Sequence, residues 1–459
     1  MEQTGQARQK LHQKITENKI SRLVMEFSPP AIVGVFLAAV FNMIDSYFAK
    51  TLGTEAVAAV GVVFSMIAVI QAVGYFIGMG GASLLSRTLG EQDDARSCQI
   101  IKAVGILTLL FALLFVLAGN LFLRPLLRML GAGTKIMEYA VGYGRYVVAV
   151  SGIMLAAFVL SNLLRAMGKP GCAMWGTIAG VVMDVIFCIW LVQYKNMGMA
   201  GIGIAVVAGQ MAMLLVLAGF FFREWKTLCA VGAMGKKSHE KNWMTMAAAC
   251  LGVAQMGMPS LFRQGLGSIA VVMLNRVAGE ISTELQSAMS ITAKVVLLLF
   301  SVAIGCSQAL QPIVGFNFGA GQEKRVKQAF WNSVLYGTIG MTVLAAGSYL
   351  LAPWLLSWFT RQQEVLDMAV RALRYECMVL PTVMFANGAN ILFQAWNRPV
   401  PASFIAAFRQ GIFFLPLLFL LPHLWGAMGI YLAQPLADLA TFFACIPFII
   451  TAFSSTSQS

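Results

Sequence analysis

Two acidic residues, Asp45 and Asp184, stand in otherwise apolar stretches of this 459-residue chain. An acid at the centre of a membrane helix costs about 2.5 to 3.5 kcal/mol on insertion scales, so one kept there points to function. Asn42 comes three residues before Asp45 and shares its helical face. Gly176 and Gly180 precede Asp184 at steps of four, and such small residues let another helix pack close. The chemistry these groups offer is ion coupling. Desolvation disfavours the charged form of a carboxyl, so an acid in such a place can take up a proton on one side and release it on the other. A pair of acids with polar neighbours could instead hold Na⁺ through oxygen ligands. The structural alternative is a hydrogen bond to a neighbouring helix, or for Asp45 simple exposure at the outer surface.

The elements that must position these acids follow from composition. The chain is 59% hydrophobic and 11% charged, whereas a soluble domain carries about 25% charged residues. A spanning helix needs about 20 mostly apolar residues. Twelve such stretches are present: 23–48, 56–80, 100–122, 136–162, 171–193, 199–222, 245–279, 285–312, 327–351, 364–393, 401–422 and 426–451. The fold class is therefore all-α integral membrane, with little chain left over for a soluble domain.

The net charge of +13 raises the question of a nucleic-acid partner, and the distribution of basic residues answers it. With a cytoplasmic N-terminus, the inner segments hold nineteen basic residues, from Arg8 through Arg87, Arg96, Arg165, Lys169, Arg223 and Arg325 to Arg398. The outer loops hold six: Lys50, Arg124, Arg128, Lys135, Lys195 and Arg361. That asymmetry is the positive-inside bias, and no nucleic-acid partner is needed. The first twenty residues are polar, lack the features of a secretory signal, and read as a cytoplasmic tail; both termini are expected in the cytoplasm.

Eight cysteines form no C-x-x-C pair and most lie in apolar helices, so free thiols are expected. Three scattered histidines, His12, His239 and His423, offer no metal-ligand spacing. No metal site, no cofactor and no clustered nucleophile of an enzyme is expected.

Shifted by 229 positions, the chain matches itself. Pro30 falls on Pro259, Thr54 and Glu55 on Thr283 and Glu284, Gly90 on Gly319, Arg96 on Arg325, Arg145 and Tyr146 on Arg374 and Tyr375, and Pro170 on Pro399. The period is far longer than a solenoid unit of about 20 to 50 residues, so each copy is a six-helix half. The expected division is a first lobe over 1–222, a charged cytoplasmic linker over 223–242 and a second lobe over 243–459. An even number of helices per half makes this a parallel pseudo-two-fold repeat about the membrane normal. The acids break it: Asp45 meets Leu274 and Asp184 meets Phe413, which assigns the ion site to the first lobe alone.

Pro30 and Pro259 sit near the start of the first helix of each half, where a proline removes one hydrogen bond and permits a kink, fixed or changing with transport. The second half carries cations instead, Arg263, Arg276, Lys294 and Arg409, with Glu376 and Asp438 as available counter-charges. Lys294 and Arg263 are candidate substrate-lobe charges, with an ion pair or carbonyl clamp as the structural alternative. The 27 methionines and 31 phenylalanines suit promiscuous, flat ligands, although most must face lipid or core.

These motifs resemble the multidrug and toxic compound extrusion (MATE) family, its DinF-like branch in particular. The run 41–61, FNMIDSYFAKTLGTEAVAAVG, is similar to that family's first-helix signature; 162–170 is similar to its fourth-loop motif; Gln311 to Gly321 followed by Arg325 is similar to the signature after its eighth helix. The resemblance covers essentially the whole chain. It implies a V-shaped pair of six-helix lobes in a bacterial cytoplasmic membrane, acting as a monomer and exporting small organic, often cationic, compounds against H⁺ or Na⁺. It implies coupling acids at Asp45 and Asp184 and adds Asn162 to the coupling set. Two positions depart from the pattern: an asparagine common four residues before the helix-five acid is Gly180 here, and a helix-six threonine is Val206. Losing two oxygen ligands favours protonation over Na⁺, which wants about six of them. A lipid or lipid-linked oligosaccharide flippase is the alternative within the same superfamily.

Overall fold

The computed structural model describes residues 2–232 and 243–455, without the side chains of 2–8, Asn42, 229–232, 243–245 and 455. Among them every regular element is helical. A leading helix α1 (Glu2–Glu17) is followed by a first lobe of α2 (Ile20–Lys50), α3 (Thr54–Gly90), α4 (Asp94–Met129), α5 (Met137–Ala166), α6 (Pro170–Cys188, closing in a π-turn at Ile189–Tyr194) and α7 (Gly198–Gly232). The second lobe holds α8 (Trp243–Ile281), α9 (Thr283–Gly319), α10 (Glu323–Leu350), α11 (Ala352–Ser357), α12 (Gln363–Val379), α13 (Val383–Ala395), α14 (Pro399–Ala407, running into a π-turn at Phe408–Phe414), α15 (Leu415–Trp425) and α16 (Ala427–Ser455).

Eleven of the described helical stretches are long and apolar enough to cross a membrane. The twelfth expected span, 245–279, is present as α8, 39 residues long. The exposed apolar stripe of α4, with Leu109, Leu113, Leu117 and Leu121 all at least half exposed, is the kind of surface a bilayer covers. This is a multi-pass membrane protein.

The repeat governs helix boundaries as well as residues. At the same offset α3 superposes on α9 at both ends, and α4, α6 and α7 begin where α10, α14 and α16 begin. Local signals explain the starts. The Asp93 carboxylate accepts the Arg96 N–H (2.9 Å) and the Ser282 hydroxyl accepts that of Leu285 (3.0 Å), each satisfying a donor that the first turn leaves free. Pro170 and Pro399 open their helices where no N–H is needed. Helices α2 and α8 run as single helices through Pro30 and Pro259.

The helices add detail to three expectations. The N-terminal segment, read as a cytoplasmic tail, is a helix docked on the bundle: Ile15 of α1 is fully buried, and His12 contacts the Gly90 carbonyl (3.1 Å). Apolar side chains at one face of a short polar helix suffice for this docking, and polarity elsewhere hid it. Arg325 fastens the same helix, donating to the carbonyls of Ile15 (3.1 Å) and Asn18 (2.6 Å). The linker expected over 223–242 is helical as far as Gly232, a continuation of α7, because nothing in 223–232 breaks a helix; residues 233–242 lie outside the described residues. The expected spans 364–393 and 401–422 are present over Gln363–Ala395 and Pro399–Trp425, the first with a 3₁₀ turn at Leu380–Thr382 holding Pro381 and the second with the π-turn at Phe408–Phe414.

The lobes meet through α2 and α3 of one and α8 and α9 of the other. At one end they touch backbone to backbone. A Cβ at Gly90 would collide with the Phe316 carbonyl, and one at Gly319 with the Arg87 carbonyl; these contacts are mates of each other under the repeat. Gln311 ties α9 to α3 by donating to Ser83 Oγ (2.9 Å) and the Met79 carbonyl (3.3 Å). Gly61, Gly265 and Gly267, towards the other end of α3 and α8, face open space. The lobes are thus pressed together at the Gly90 end.

That closure predicts a cross-link. An ideal Cβ at Gly315 would lie 2.6 Å from the Ser86 Cβ, so a shift of about 1 Å gives the roughly 3.8 Å of a disulfide. In a background freed of native cysteines, Ser86→Cys with Gly315→Cys should cross-link under mild oxidation and block transport until reduced. Transport that persists in the cross-linked protein would show that this end need not open.

Candidate functional site

The two acids that stand far apart in sequence come together. Helices α2 and α6 pack against each other and bring the Asp45 and Asp184 carboxylates and the Cys188 thiol within 4.8 Å of one another. Asp184 is fully buried and Asp45 is 3% exposed, which removes surface exposure as an account of Asp45. The glycines near Asp184 explain how it is reached: Gly209 of α7 lies so close that a Cβ there would meet the Asp184 Cβ at 2.9 Å.

Tyr143 of α5, fully buried, donates its hydroxyl to Asp45 Oδ2 at 2.9 Å. Asp45 Oδ1 and both oxygens of Asp184 have no hydrogen-bond partner among the described residues. No ion pair among the described residues involves either acid. Two ionised carboxylates at this separation repel by about 3 to 4 kcal/mol even at an effective dielectric of about 20, and a buried carboxylate without donors adds a desolvation cost. One proton between them turns an acid into a donor and relieves both. The ligand atoms on hand among the described residues are the oxygens of two carboxylates and a phenol, beside a soft thiol.

Not every expected member is here. Asn162 lies nineteen residues beyond Tyr143 on α5, about 28 Å along the helix. It accepts from Arg165 Nη2 (3.0 Å), donates to the Phe158 carbonyl (2.8 Å) and packs against Gly78. A shared helix does not bring it to the acid pair. The side chain of Asn42 lies outside the described residues. Tyr143 was missed, although its repeat mate is Ala372, the same asymmetry that singled out the acids.

A cavity of about 60 Å³ adjoins the pair, room for a few waters. Phe41 and Gly180, each one helical turn before an acid, are in its wall together with Tyr75, Phe158, Arg165 and Gln308. It therefore touches α2, α3, α5, α6, α7 and, through Gln308, the second lobe.

The second lobe carries a buried polar cluster at the equivalent place. Arg409 grips Asp438 with two bonds, 2.8 and 3.0 Å, and lies 4.2 Å from the centroid of the Phe300 ring. Glu376 is 5% exposed, with one oxygen unpartnered among the described residues. The repeat mates of Arg409, Asp438 and Glu376 are Gly180, Gly209 and Val147. Lys294 lies inside the apolar span α9, as expected, with its side chain exposed, and Arg263 is half-buried on α8. None of the seven cysteines whose side chains are described is joined in a disulfide.

A duplicated bundle of apolar helices, a one-sided acid pair and an adjoining cavity point to a membrane transporter of the duplicated kind, and comparison with known proteins agrees. The MatE family model matches residues 30–190 and again 259–420, two copies displaced by the same 229 positions. The chain belongs to the MatE family. Among its relatives are a FAD transporter of Shewanella oneidensis, 24% identical over 93% of each chain, and the multidrug export protein MepA of Staphylococcus aureus, 22% identical over 92% of each chain. A MATE-family multidrug resistance transporter solved in an outward-facing conformation has the same fold, with a TM-score of 0.88 at 19% identity over 97% of this chain and 98% of that one.

Tyr143→Phe keeps the ring and removes the donor to Asp45. It should fold, lose about 1 to 2 kcal/mol of stability as a lower melting temperature in detergent, and slow gradient-driven transport roughly tenfold. Equal melting and equal transport would leave the Tyr143–Asp45 bond without a role. Arg409→Gln strands Asp438 and should cost about 3 to 5 kcal/mol; adding Asp438→Asn should recover most of it in the same melting assay.

Proposed function

We propose that this protein is a secondary active exporter that drives small organic compounds out across the membrane against an inward flow of protons, by alternating access. The observation that carries the reading is the Asp45–Asp184 pair, buried within 4.8 Å without a cation among the described residues, beside a cavity that shares its helices. Relatives named for multidrug export and for FAD transport support export of ring-bearing molecules. The positive-inside bias supports cytoplasmic termini and places the closed Gly90 end on the inner side.

The side chains suggest the order of steps. With the lobes parted at the outer side, the cavity holds cargo against α2 and α6. A proton entering from outside settles between Asp45 and Asp184, removes their repulsion and draws α2 towards α6. Phe41 and Gly180, one turn from the acids, move with them and narrow the cavity, so cargo leaves outward. The protonated lobe then closes outside and opens inside, where the proton is lost and the acids separate. The donor set supports H⁺ over Na⁺ as the coupling ion. The expectation of cationic cargo finds no support in the lining, which holds Arg165 and no carboxylate.

Asp184→Asn supplies a neutral, permanently paired amide. In proteoliposomes, efflux driven by an imposed proton gradient should fall at least tenfold, with a sodium gradient driving neither protein. Undiminished proton-driven efflux would remove Asp184 from coupling, and efflux driven by sodium alone would replace the ion.

A further inference from the structure

A groove of about 600 Å³ on the second lobe takes no part in the site already described. It lies between α10 and α16, with Trp331 contributed by the first, Ile446 by the second, and the buried Phe385 of α13 between them. Trp331 and Ile450, both in its lining, are 46% and 62% exposed, so it opens on the surface of the lobe. The lining is apolar but for Thr338 and Thr382, and Thr382 turns its hydroxyl back to the Val379 carbonyl (2.7 Å). The repeat explains the space. Helices α10 and α16 both pack on α13 and on the Leu380–Thr382 turn, whereas their mates in the first lobe, α4 and α7, pack directly on each other. Pro381 takes the place of Gly152, where α5 runs unbroken and so close to α4 that a Cβ would meet that of Ala112 at 3.1 Å. A proline there, lacking its N–H, interrupts the helix with a 3₁₀ turn.

The groove has a charged end. Lys327 lies one turn before Trp331 on α10 and Phe453 one turn after Ile449 on α16, and the two meet, with Lys327 Nζ 5.3 Å from the centroid of the Phe453 ring. That ring is 5.9 Å from the ring of Trp396, over which the Arg398 guanidinium sits at 5.0 Å. Two exposed cations thus cap one pair of rings. No ion pair among the described residues includes either of them. In the first lobe Lys169, the mate of Arg398, is paired with Glu224, and the mate of Glu224 is Phe453. The second lobe therefore has a ring where the first has the counter-charge, and it has a further cation, since the mate of Lys327 is Cys98. Lys327 to Thr338 on α10, and Phe453 back to Phe442 on α16, each span about 16 Å of helix. That is half of a hydrocarbon core of about 30 Å, the depth of one leaflet.

We propose that this groove holds an acyl chain of an anionic phospholipid, with its phosphate between Lys327 and Arg398. Basic pockets between membrane helices on the cytoplasmic side take such headgroups, and the positive-inside bias puts this end of the groove in the inner leaflet. The groove shares no residue with the cavity beside the acids, so the lipid is a resident of the lobe and its binding stands apart from the exporter reading.

Phosphatidylglycerol and phosphatidylcholine carrying brominated acyl chains test it, because bromine quenches a tryptophan that it touches. Added to the purified full chain in detergent, phosphatidylglycerol should quench part of the tryptophan fluorescence saturably and bind roughly tenfold more tightly than phosphatidylcholine with the same chains. Trp331→Phe should remove the saturable part. Each Lys or Arg near a membrane surface is worth about fivefold in binding anionic lipid. Lys327→Gln and Arg398→Gln should therefore each weaken phosphatidylglycerol by about that factor, and together they should abolish its preference. Both side chains are exposed, and the melting temperature checks that the variants fold. Equal binding of the two lipids overturns the proposal without any variant. So does a saturable quench that survives in Trp331→Phe, or a preference that survives the double substitution. Brominated stearate that quenches as well as phosphatidylglycerol replaces the phospholipid by a free fatty acid, and a dimer that shields Trp331 from every quencher replaces it by a second copy of this chain; either result overturns the proposal too.

Discussion

Two carboxyls held within 4.8 Å in a buried setting, with one tyrosine donor and no cation among the described residues, form the constraint on which the rest depends. An arrangement so poorly satisfied persists only where the surrounding helices over-determine it. The Gly180 and Gly209 contacts do that, pressing α6 and α7 together at the level of Asp184 and leaving no room for a bulkier compensating group. The site is therefore balanced: ionised, it repels and pushes α2 from α6; with one proton, it becomes a short bridge between them. On the proposed exporter reading, a lobe with two such packings would respond to proton concentration through shape.

The duplicated lobe shows what happens when that balance is absent. Where the first lobe has Gly180, the second has Arg409; where α7 has Gly209 pressed on its neighbour, α16 has Asp438 reaching across. The result is a bidentate ion pair with a ring beneath the guanidinium, neutral as a unit and worth several kcal/mol to keep intact. Even the backbone differs. The π-turn of the second lobe falls over Phe408–Phe414, around Arg409, whereas that of the first lobe falls later, at Ile189–Tyr194. Such turns recur at functional sites. One copy leaves its acids without a cation among the described residues and the other holds a paired arginine, and on the proposed reading the first lobe would move against a firmer second.

Much of this was legible in the sequence. Duplication was visible as a single offset because scaffold residues such as Gly90 and Gly319 perform reciprocal backbone contacts, and neither can change alone. The acids stood out because burial of a carboxyl in an apolar run is costly enough to need a reason. What was hidden depended on packing that periodicity does not encode. Tyr143 is one tyrosine among ten, ordinary until α5 is laid beside α2. Asn162 shares a helix with Tyr143 but lies about 28 Å away along it, a separation that a motif match does not report. The docking of α1 depends on a few contacts, His12 to Gly90 and Arg325 to Ile15 and Asn18, that link segments more than seventy residues apart. Arg165 was read from its place near the end of a helix as a loop charge; its side chain turns back into the cavity.

The sign of the cavity's charge bears on how coupling can work. A cationic cargo and a proton can compete directly for the same negative pair, since each neutralises it. An anionic cargo cannot, because protonating Asp45 and Asp184 would ease its approach by simple electrostatics and favour binding together with the proton. Exchange of the two in opposite directions then has to be steric. The structure supplies the parts for it: Phe41 and Gly180 belong both to the cavity wall and to the helical turns that carry the acids, so the packing change that admits a proton acts on the space the cargo occupies.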